Sequence, residues 1–391
     1  MRVGISVLAQ SPRFFDGALS QFLQMGELLP EIDPETDYLL LAGGADIGYY
    51  RQRTAVHDVV RAGISDRGIM VRIASEHLLL GRACARHKVD VLFYQSAGAV
   101  PLVLPSPTKV VLGVWGAQDP STISLPLSKR IYRKLLNERG LRRVSHLILN
   151  SHYTRELITD RYDLDVPTTV IHHGVDERLF YPSRDISVER EIIADLGVDI
   201  PYVLFVGQAR RYKLLHVLVD AFASAVSERK LPHRLVVVGS FDREHNSEGE
   251  GYRAQLIAAL ARYGLADRVR FLSGIPVSKL RALYAASDLC VQPSASETFG
   301  RTVIEAMACG TAVLAARGAA TPEVMGEAGS YYEPTDVEGC AEQIALILEN
   351  GAERQRLVRA GLERVALFSR SRELTQMANV FRHVGGEAPL K

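Results

Sequence analysis

The chain has 391 residues, enough for two domains of ordinary size, and its 47% hydrophobic and 23% charged content is that of a globular protein. A formal net charge of +1 gives no bulk attraction to nucleic acid, and no run of about 18 apolar residues offers a membrane span. The four cysteines (Cys84, Cys290, Cys309, Cys340) lie far apart without metal-ligand spacing and read as buried, reduced thiols. The chain enters an apolar run at Val3 with no signal-peptide pattern, so a cytoplasmic location is expected.

Arg2 to Leu8 reads as a first buried strand, followed by a loop, Ala9 to Gly17, and an amphipathic helix over about Ala18 to Leu29. Asp16-Gly17 is the turn signal in front of that helix. Further strands are predicted at Tyr38–Leu41, Met70–Ile73, Val91–Phe93, Val110–Val114 and Leu147–Leu149, with helices between them at Glu76–His87 and Leu127–Asn137. This alternation predicts an α/β domain with a doubly wound parallel sheet. The glycines of 43–48 lack G-x-G-x-x-G spacing and follow a later strand, so they read as a turn. Seven cations, from Lys129 to Arg143, interleave with Ile131, Tyr132, Leu135 and Leu136 in the segment 128–144. That pattern fits either a peripheral membrane-surface helix or a solvated face. Ser151 or Thr154 is placed to cap a helix after the Leu147 strand. His172-His173 has no further ligand close in sequence, and Asp163-Leu164-Asp165 sits in a surface connection, so no metal site is expected.

Polar residues from Ser183 to Glu191 mark a linker, which divides the chain into domains 1–183 and 184–365. Tyr202–Val206 is the first strand of the second domain. The loop after it, Gly207-Gln208-Ala209-Arg210-Arg211-Tyr212-Lys213, leads into a helix reaching Phe222. A glycine, a short basic loop and a lysine at a helix start make a pyrophosphate clamp: Arg210 or Arg211 offers bidentate contacts, Lys213 a point charge. Strands follow at Arg234–Val238 and Val269–Leu272, separated by a polar loop, Asp242–Tyr252, and then a helix at Lys279–Ser287. Leu289–Val291 is a buried strand closed by Pro293; Val303–Ala308 is a helix stopped by Gly310; Thr311–Ala315 is the next strand. In such a strand–loop–helix unit the amides of Thr298, Phe299, Gly300 and Arg301 lie at a helix N-terminus beyond a strand's carboxyl end, where phosphate binds. Glu297 and Glu305 flank them. A carboxylate beside a phosphate site makes sense when it accepts hydrogen bonds from sugar hydroxyls, as an acidic residue does with a ribose. The stretch from Glu353 to His383 is helical in pattern.

Glu297, seven residues, then Glu305, with Phe299-Gly300 between and Glu305-Ala306-Met307-Ala308-Cys309-Gly310 after, resembles the signature of retaining nucleotide-sugar glycosyltransferases of family 4. The resemblance implies the GT-B fold: two Rossmann-like, doubly wound parallel-sheet domains facing a central cleft, with residues 366–391 as a terminal helix crossing back to the first domain. It implies transfer of a sugar from a nucleotide-diphosphate sugar to a saccharide, lipid-linked or small-molecule acceptor with retention of configuration, and no metal or other cofactor. It assigns donor phosphate contacts to Gly17, Gly207, Lys213, an arginine beside it and the 298–301 amides. The ribose goes to Glu305, the base to Gly274 and Ile275, and the donor sugar to Gln118 and Glu297, with Glu297 and Asp119 catalytic. The chain departs from the family pattern at Gln118, where a histidine is common, and at Gln208, where an arginine is common. Glutamine cannot shuttle a proton at neutral pH, so a nucleotide-sugar-binding protein without catalysis and a GT-B epimerase stand as alternatives.

Overall fold

The computed structural model describes residues 1–8, 17–64, 71, 74–95, 104, 107–116, 143–161, 165–208, 210–241 and 249–390. Gln118, Asp119, the helix expected at 127–137 and nearly all of the basic 128–144 segment lie outside these residues. The chain divides into two compact units: Met1–His172 with Ser371–Lys391, and His173–Arg370.

The first unit is built on a parallel sheet of β1 (Arg2–Ser6), β2 (Asp37–Gly43), β3 (Asp58–Gly63), β4 (Val91–Gln95), β5 (Lys109–Val114), β6 (His146–Leu149) and β7 (Thr168–Val170). Their order is β3-β2-β1-β4-β5-β6-β7. Helices α1 (Gly17–Ile32), α2 (Ile47–Arg51), α3 (Leu80–Arg86) and α4 (His152–Arg161) connect them. One expectation for this half, the strand at Met70–Ile73, is corrected at Val71, its one described residue. Val71 is helical rather than part of a strand, and the third strand is instead β3. In β3 the exposed Asp58 and Arg61 break up an edge strand that has a buried Val59, so no apolar run announces it. β7 is a short, half-exposed Thr168-Thr169-Val170 segment, equally silent to hydrophobic pattern. The helix expected at 76–87 opens with a π turn over Ser75–Leu79 before α3. Ser151 is the residue that caps α4: its Oγ accepts from the Thr154 amide at 3.0 Å, while Thr154 Oγ1 donates to Asn150 Oδ1.

The second unit carries β8 (Tyr202–Val206), β9 (Arg234–Val238), β10 (Val269–Leu272), β11 (Leu289–Gln292), β12 (Val313–Ala316) and β13 (Ser330–Tyr332), all parallel, in the order β10-β9-β8-β11-β12-β13. Helices α5 (Ile186–Ala194), α6 (Leu215–Arg229), α7 (Gly249–Arg262), α8 (Val277–Ala285), α9 (Arg301–Ala308), α10 (Thr321–Met325), α11 (Val337–Glu349) and α12 (Gly351–Val365) cover it. The polar stretch read as linker is helical from Ile186, with Asp185 Oδ1 accepting from the Ser187 amide as its cap. The polar 242–252 stretch is helical from Gly249.

The inner strands of the second sheet, β8, β9, β11 and β12, are buried on both faces, which is why they read as apolar runs. Val203 and Phe205 face a layer with Leu218, Phe222, Leu256 and Ile344, whereas Tyr202 and Leu204 face one with Tyr284, Ile304, Met307 and Met325. The alternation follows the two-residue period of a strand. Burial holds all four cysteines as free thiols and pushes Cys84 and Cys290 up to about 12.

The final helix, α13 (Arg370–Gly385), inserts Leu374, Met377 and Phe381 among Val3, Ile5, Phe22 and Phe93 of the first unit. Arg382 there meets the fully buried Asp33 at 3.0 Å, and Tyr38 Oη donates to the same carboxylate. In the second unit the incoming and outgoing strands run side by side. Val175 bridges Ser369, and the Arg370 amide donates to the Val175 carbonyl. Gly174 is needed at that crossing, since a Cβ would overlap the Ser369 carbonyl. Among the described residues no helix is long and apolar enough to cross a membrane.

Candidate functional site

In an open parallel sheet the strand order reverses at one point, and the helices on either side leave on opposite faces. The loops at the carboxyl ends of those two strands part and leave a crevice. In the second unit the reversal falls between β8 and β11. The loop after β8 is 207–214, and the loop after β11 is 293–300. These are the two loops that carry the basic cluster and the first glutamate.

An ion pair joins the two loops. Lys213 Nζ lies on Glu297 Oε1, with side-chain exposures of 15% and 12%, so most water is excluded from it. Lys213 ends a 3-10 turn, Arg211–Lys213, and Leu214 then takes a left-handed conformation before α6 starts. That turn re-aims the lysine toward the sheet rather than along the helix. Glu297 is fixed by its backbone, whose carbonyl accepts from the Ala320 amide at 3.0 Å in the loop after β12.

Gln292, the last residue of β11, completes the cluster. It is buried, and its Nε2 donates to Glu297 Oε1 at 3.3 Å and to Thr302 Oγ1 at 3.0 Å. It therefore ties the glutamate in the loop to the first turn of α9. Gln292 was not singled out from sequence. The available signal was a glutamine closing the otherwise apolar run Leu289-Cys290-Val291, just before Pro293.

Gly300 precedes α9 with φ +88°, a left-handed conformation that turns the loop into the helix. The amides of a first helical turn have no partner within the helix, and α9 places Arg301 at that end. Phe299 separates into two roles. Its side chain is core, edge-on to His173 and Phe368 at centroid distances of 5.1 and 5.8 Å, so only its backbone is a candidate for phosphate.

Glu305 lies on the second turn of α9. Tyr284 Oη donates to its Oε2 at 3.2 Å, and the Arg301 guanidinium is 3.7 Å from Oε1. Burial raises its carboxyl above the usual range, opposed by Arg301, the Tyr284 hydrogen bond and Arg370.

The basic loop is less concentrated than its sequence suggests. Arg210 Nε donates to Gln208 Oε1 at 2.9 Å. Arg211 reaches α7, donating to Gln255 Oε1 at 3.1 Å with its guanidinium 5.4 Å from the Tyr252 ring. The Gly207 amide donates to the Val238 carbonyl in the sheet, so this glycine would serve a ligand by close approach rather than by donation. Gly274 (φ +64°) and the half-buried Ile275 follow β10 at the same carboxyl edge of the sheet. Gly17 starts α1 in the first unit.

Comparison with known proteins supplies the family. The model described as Glycosyl transferases group 1 matches residues 189–364, and that described as Glycosyltransferase Family 4 matches residues 29–179. A D-inositol 3-phosphate glycosyltransferase of Corynebacterium glutamicum is 27% identical over 254 residues, 64% of this chain and 60% of that protein. The protein of that name from Nocardiopsis dassonvillei is 33% identical over 253 residues, 62% of this chain and 56% of the relative. A lipopolysaccharide core biosynthesis mannosyltransferase of Rhizobium leguminosarum is 33% identical over 237 residues, 57% of this chain and 62% of its own. The match thus spans between about half and three-fifths of these relatives' length. Among solved structures, sucrose-phosphate synthase of Thermosynechococcus elongatus aligns with a TM-score of 0.78 and 23% identity over 98% of this chain and 99% of its own. Anabaena HepE in complex with UDP-glucose aligns at 0.76 and 22% over 97% and 99%. These likenesses show the GT-B fold. With one family model on each unit and the two parallel sheets beneath them, the chain belongs to the group 1 glycosyltransferases of family 4.

Proposed function

We propose that the protein is a retaining glycosyltransferase that moves a sugar from a nucleotide-diphosphate sugar to a saccharide, lipid-linked or small-molecule acceptor. The observation that carries this reading is the Lys213–Glu297 pair, held by Gln292 at the strand-order reversal of the second sheet. A sugar nucleotide presents two features there. Its diphosphate gains negative charge as the glycosidic bond breaks, and preorganised cations and amides stabilise that charge. Lys213, Arg210 or Arg211 and the 298–301 backbone supply them. Its sugar hydroxyls need an acceptor, which Glu297 provides, and its ribose needs a second, which Glu305 provides. The ion pair holds Lys213 and Glu297 ready in the absence of ligand, and each then exchanges its partner for part of the donor. Asp119 and Gln118 complete the sugar site in this reading, Gly17 and Gly207 let the chain approach the phosphates, and Gly274 with Ile275 receives the base.

The donor belongs to the second unit and the acceptor to the first. The relatives' names, an inositol phosphate and a lipopolysaccharide core, support an acceptor that is a polyol or sugar. The diphosphate is neutralised by side chains and amides, without a metal. Peripheral contact with the inner face of the membrane through residues 128–144 is part of the same reading, checked by sedimentation with anionic vesicles.

The test is a thermal-shift screen with UDP, GDP, ADP and dTDP, with and without magnesium. A ligand at about 100 times its dissociation constant stabilises by about 2.7 kcal/mol. A shift with one diphosphate that is lost in Lys213→Ala, followed by donor turnover that is lost in Glu297→Gln, supports transfer. A shift without turnover in the presence of acceptors makes the chain a nucleotide-sugar-binding protein. Unchanged activity after both Glu297→Gln and Glu305→Gln would sink the assignment of those residues.

A further inference from the structure

The first unit holds a second cationic site, unrelated to the Lys213 cluster. At the edge of the sheet, β3 and α3 enclose an open pocket of about 400 Å³. Arg61 comes from β3, and Arg82 and Arg86 come from successive turns of α3, while Ile64 and Leu79 add apolar wall beside the small Ala62, Gly63 and Ala83. Among the described residues no acidic one lines it. Among the described residues none of the three arginines has a side-chain hydrogen bond or ion pair.

Three features separate this site from a solvated basic face. The chain as a whole carries only +1, so a local excess of three cations is not a consequence of composition. Arg82 and Arg86 are four apart on one helix, a like-charge spacing that weakens the helix, and among the described residues no carboxylate pairs with either. The site also has a floor. A Cβ on Gly44 would lie 3.0 Å from Arg61 Nε, so the glycine is what lets this guanidinium lie against the turn after β2. Arginine presents a planar fork that matches phosphate oxygens two at a time, and several forks on one pocket select an anion with several oxygens.

We propose that Arg61, Arg82 and Arg86 form a phosphoryl-binding site on the first unit. β3 is the outermost strand, two removed from the order reversal between β1 and β4, so the site is distinct from a crevice at that reversal. The ligand is a phosphate monoester or the phosphate of a lipid headgroup, since both present the same oxygens to the arginines.

The experiment titrates the full chain with inorganic phosphate at constant ionic strength, by calorimetry. In parallel it sediments the chain with phosphatidylcholine vesicles containing phosphatidic acid. The variants are R82Q/R86Q, R61Q and K213A, each checked for an unchanged circular dichroism spectrum. Losing charge-assisted hydrogen bonds weakens phosphate by about tenfold or more in R82Q/R86Q, and R61Q acts in the same direction. The R82Q/R86Q loss persists in the K213A background, which removes the phosphate contact proposed for the second unit. R82K/R86K, which restores charge without the fork, recovers binding only in part. Saturable phosphate binding assigns the site to soluble monoesters. Arginine-dependent vesicle binding without it assigns the site to a headgroup. In the K213A background, binding that survives R82Q/R86Q, or no binding in either arm, overturns the proposal.

Discussion

Lys213→Met removes the ammonium while keeping most of the stem, and leaves the Glu297 carboxylate with Gln292 as its described hydrogen-bond donor. Both side chains of the pair are more than four-fifths buried. Breaking a fully buried pair costs about 3–5 kcal/mol and an exposed one about 0–1. The remaining exposure and the Gln292 hydrogen bond place this pair between the limits, at about 1–3 kcal/mol. For a domain of this size each kcal/mol moves the midpoint by about 2–4 °C, so the second unit should melt about 2–12 °C lower. The decisive measurement is a double-mutant cycle. Glu297→Gln removes the charge but keeps the shape, and in its background Lys213→Met should cost less, by about 1–2 kcal/mol of coupling. Calorimetric scans of the wild type, both single variants and the double variant give the four midpoints. Coupling inside the additive range of about 0.3–0.5 kcal/mol would refute the pairing, and with it the idea that the two loops hold each other ready for the donor.

Gly300→Ala should destabilise by about 1–2 kcal/mol, because a side chain at φ +88° is strained, and a thermal melt reads it. Arg281→Ala should cost about 3–5 kcal/mol, because it strands Glu189, whose two oxygens accept from Arg281 at 2.5 and 2.6 Å in a buried pair; urea unfolding measures the loss. Glu305 titrates above its ordinary range because burial disfavours its charged form. The folded state therefore holds a proton that the unfolded state has released, and stability falls as pH rises from the ordinary carboxylate range through the raised folded value. Midpoints measured against pH should flatten across that window in Glu305→Gln, and an unchanged profile would contradict the assignment.

The second unit was the more legible half. β8, β9 and β11 stand where their apolar runs place them, because a strand buried on both faces has no polar position to obscure it. The first unit was less so, for the same reason inverted. β3 and β7 lie at the sheet's edges, where exposed Asp58, Arg61 and Thr168 dilute the pattern. The candidate site shows the same division. Glu297, Glu305, Lys213 and Gly300 were identifiable because spacing along one strand–loop–helix unit is a local property.

What the linear chain determined alone was therefore what neighbours along it decide: two α/β layers, a glycine at the turn into α9, a lysine ending one loop and glutamates spanning another. What only the tertiary structure decided was which of these groups meet. Lys213 and Glu297 are 84 residues apart, and they touch because β8 and β11 are adjacent at the order reversal. Arg211 looks equivalent to Lys213 in sequence but is held on α7. Gln292 looks like a strand end but anchors the glutamate. Side-chain partners across a sheet depend on strand order, and strand order is set by the packing of whole helices on its two faces, which no local pattern encodes.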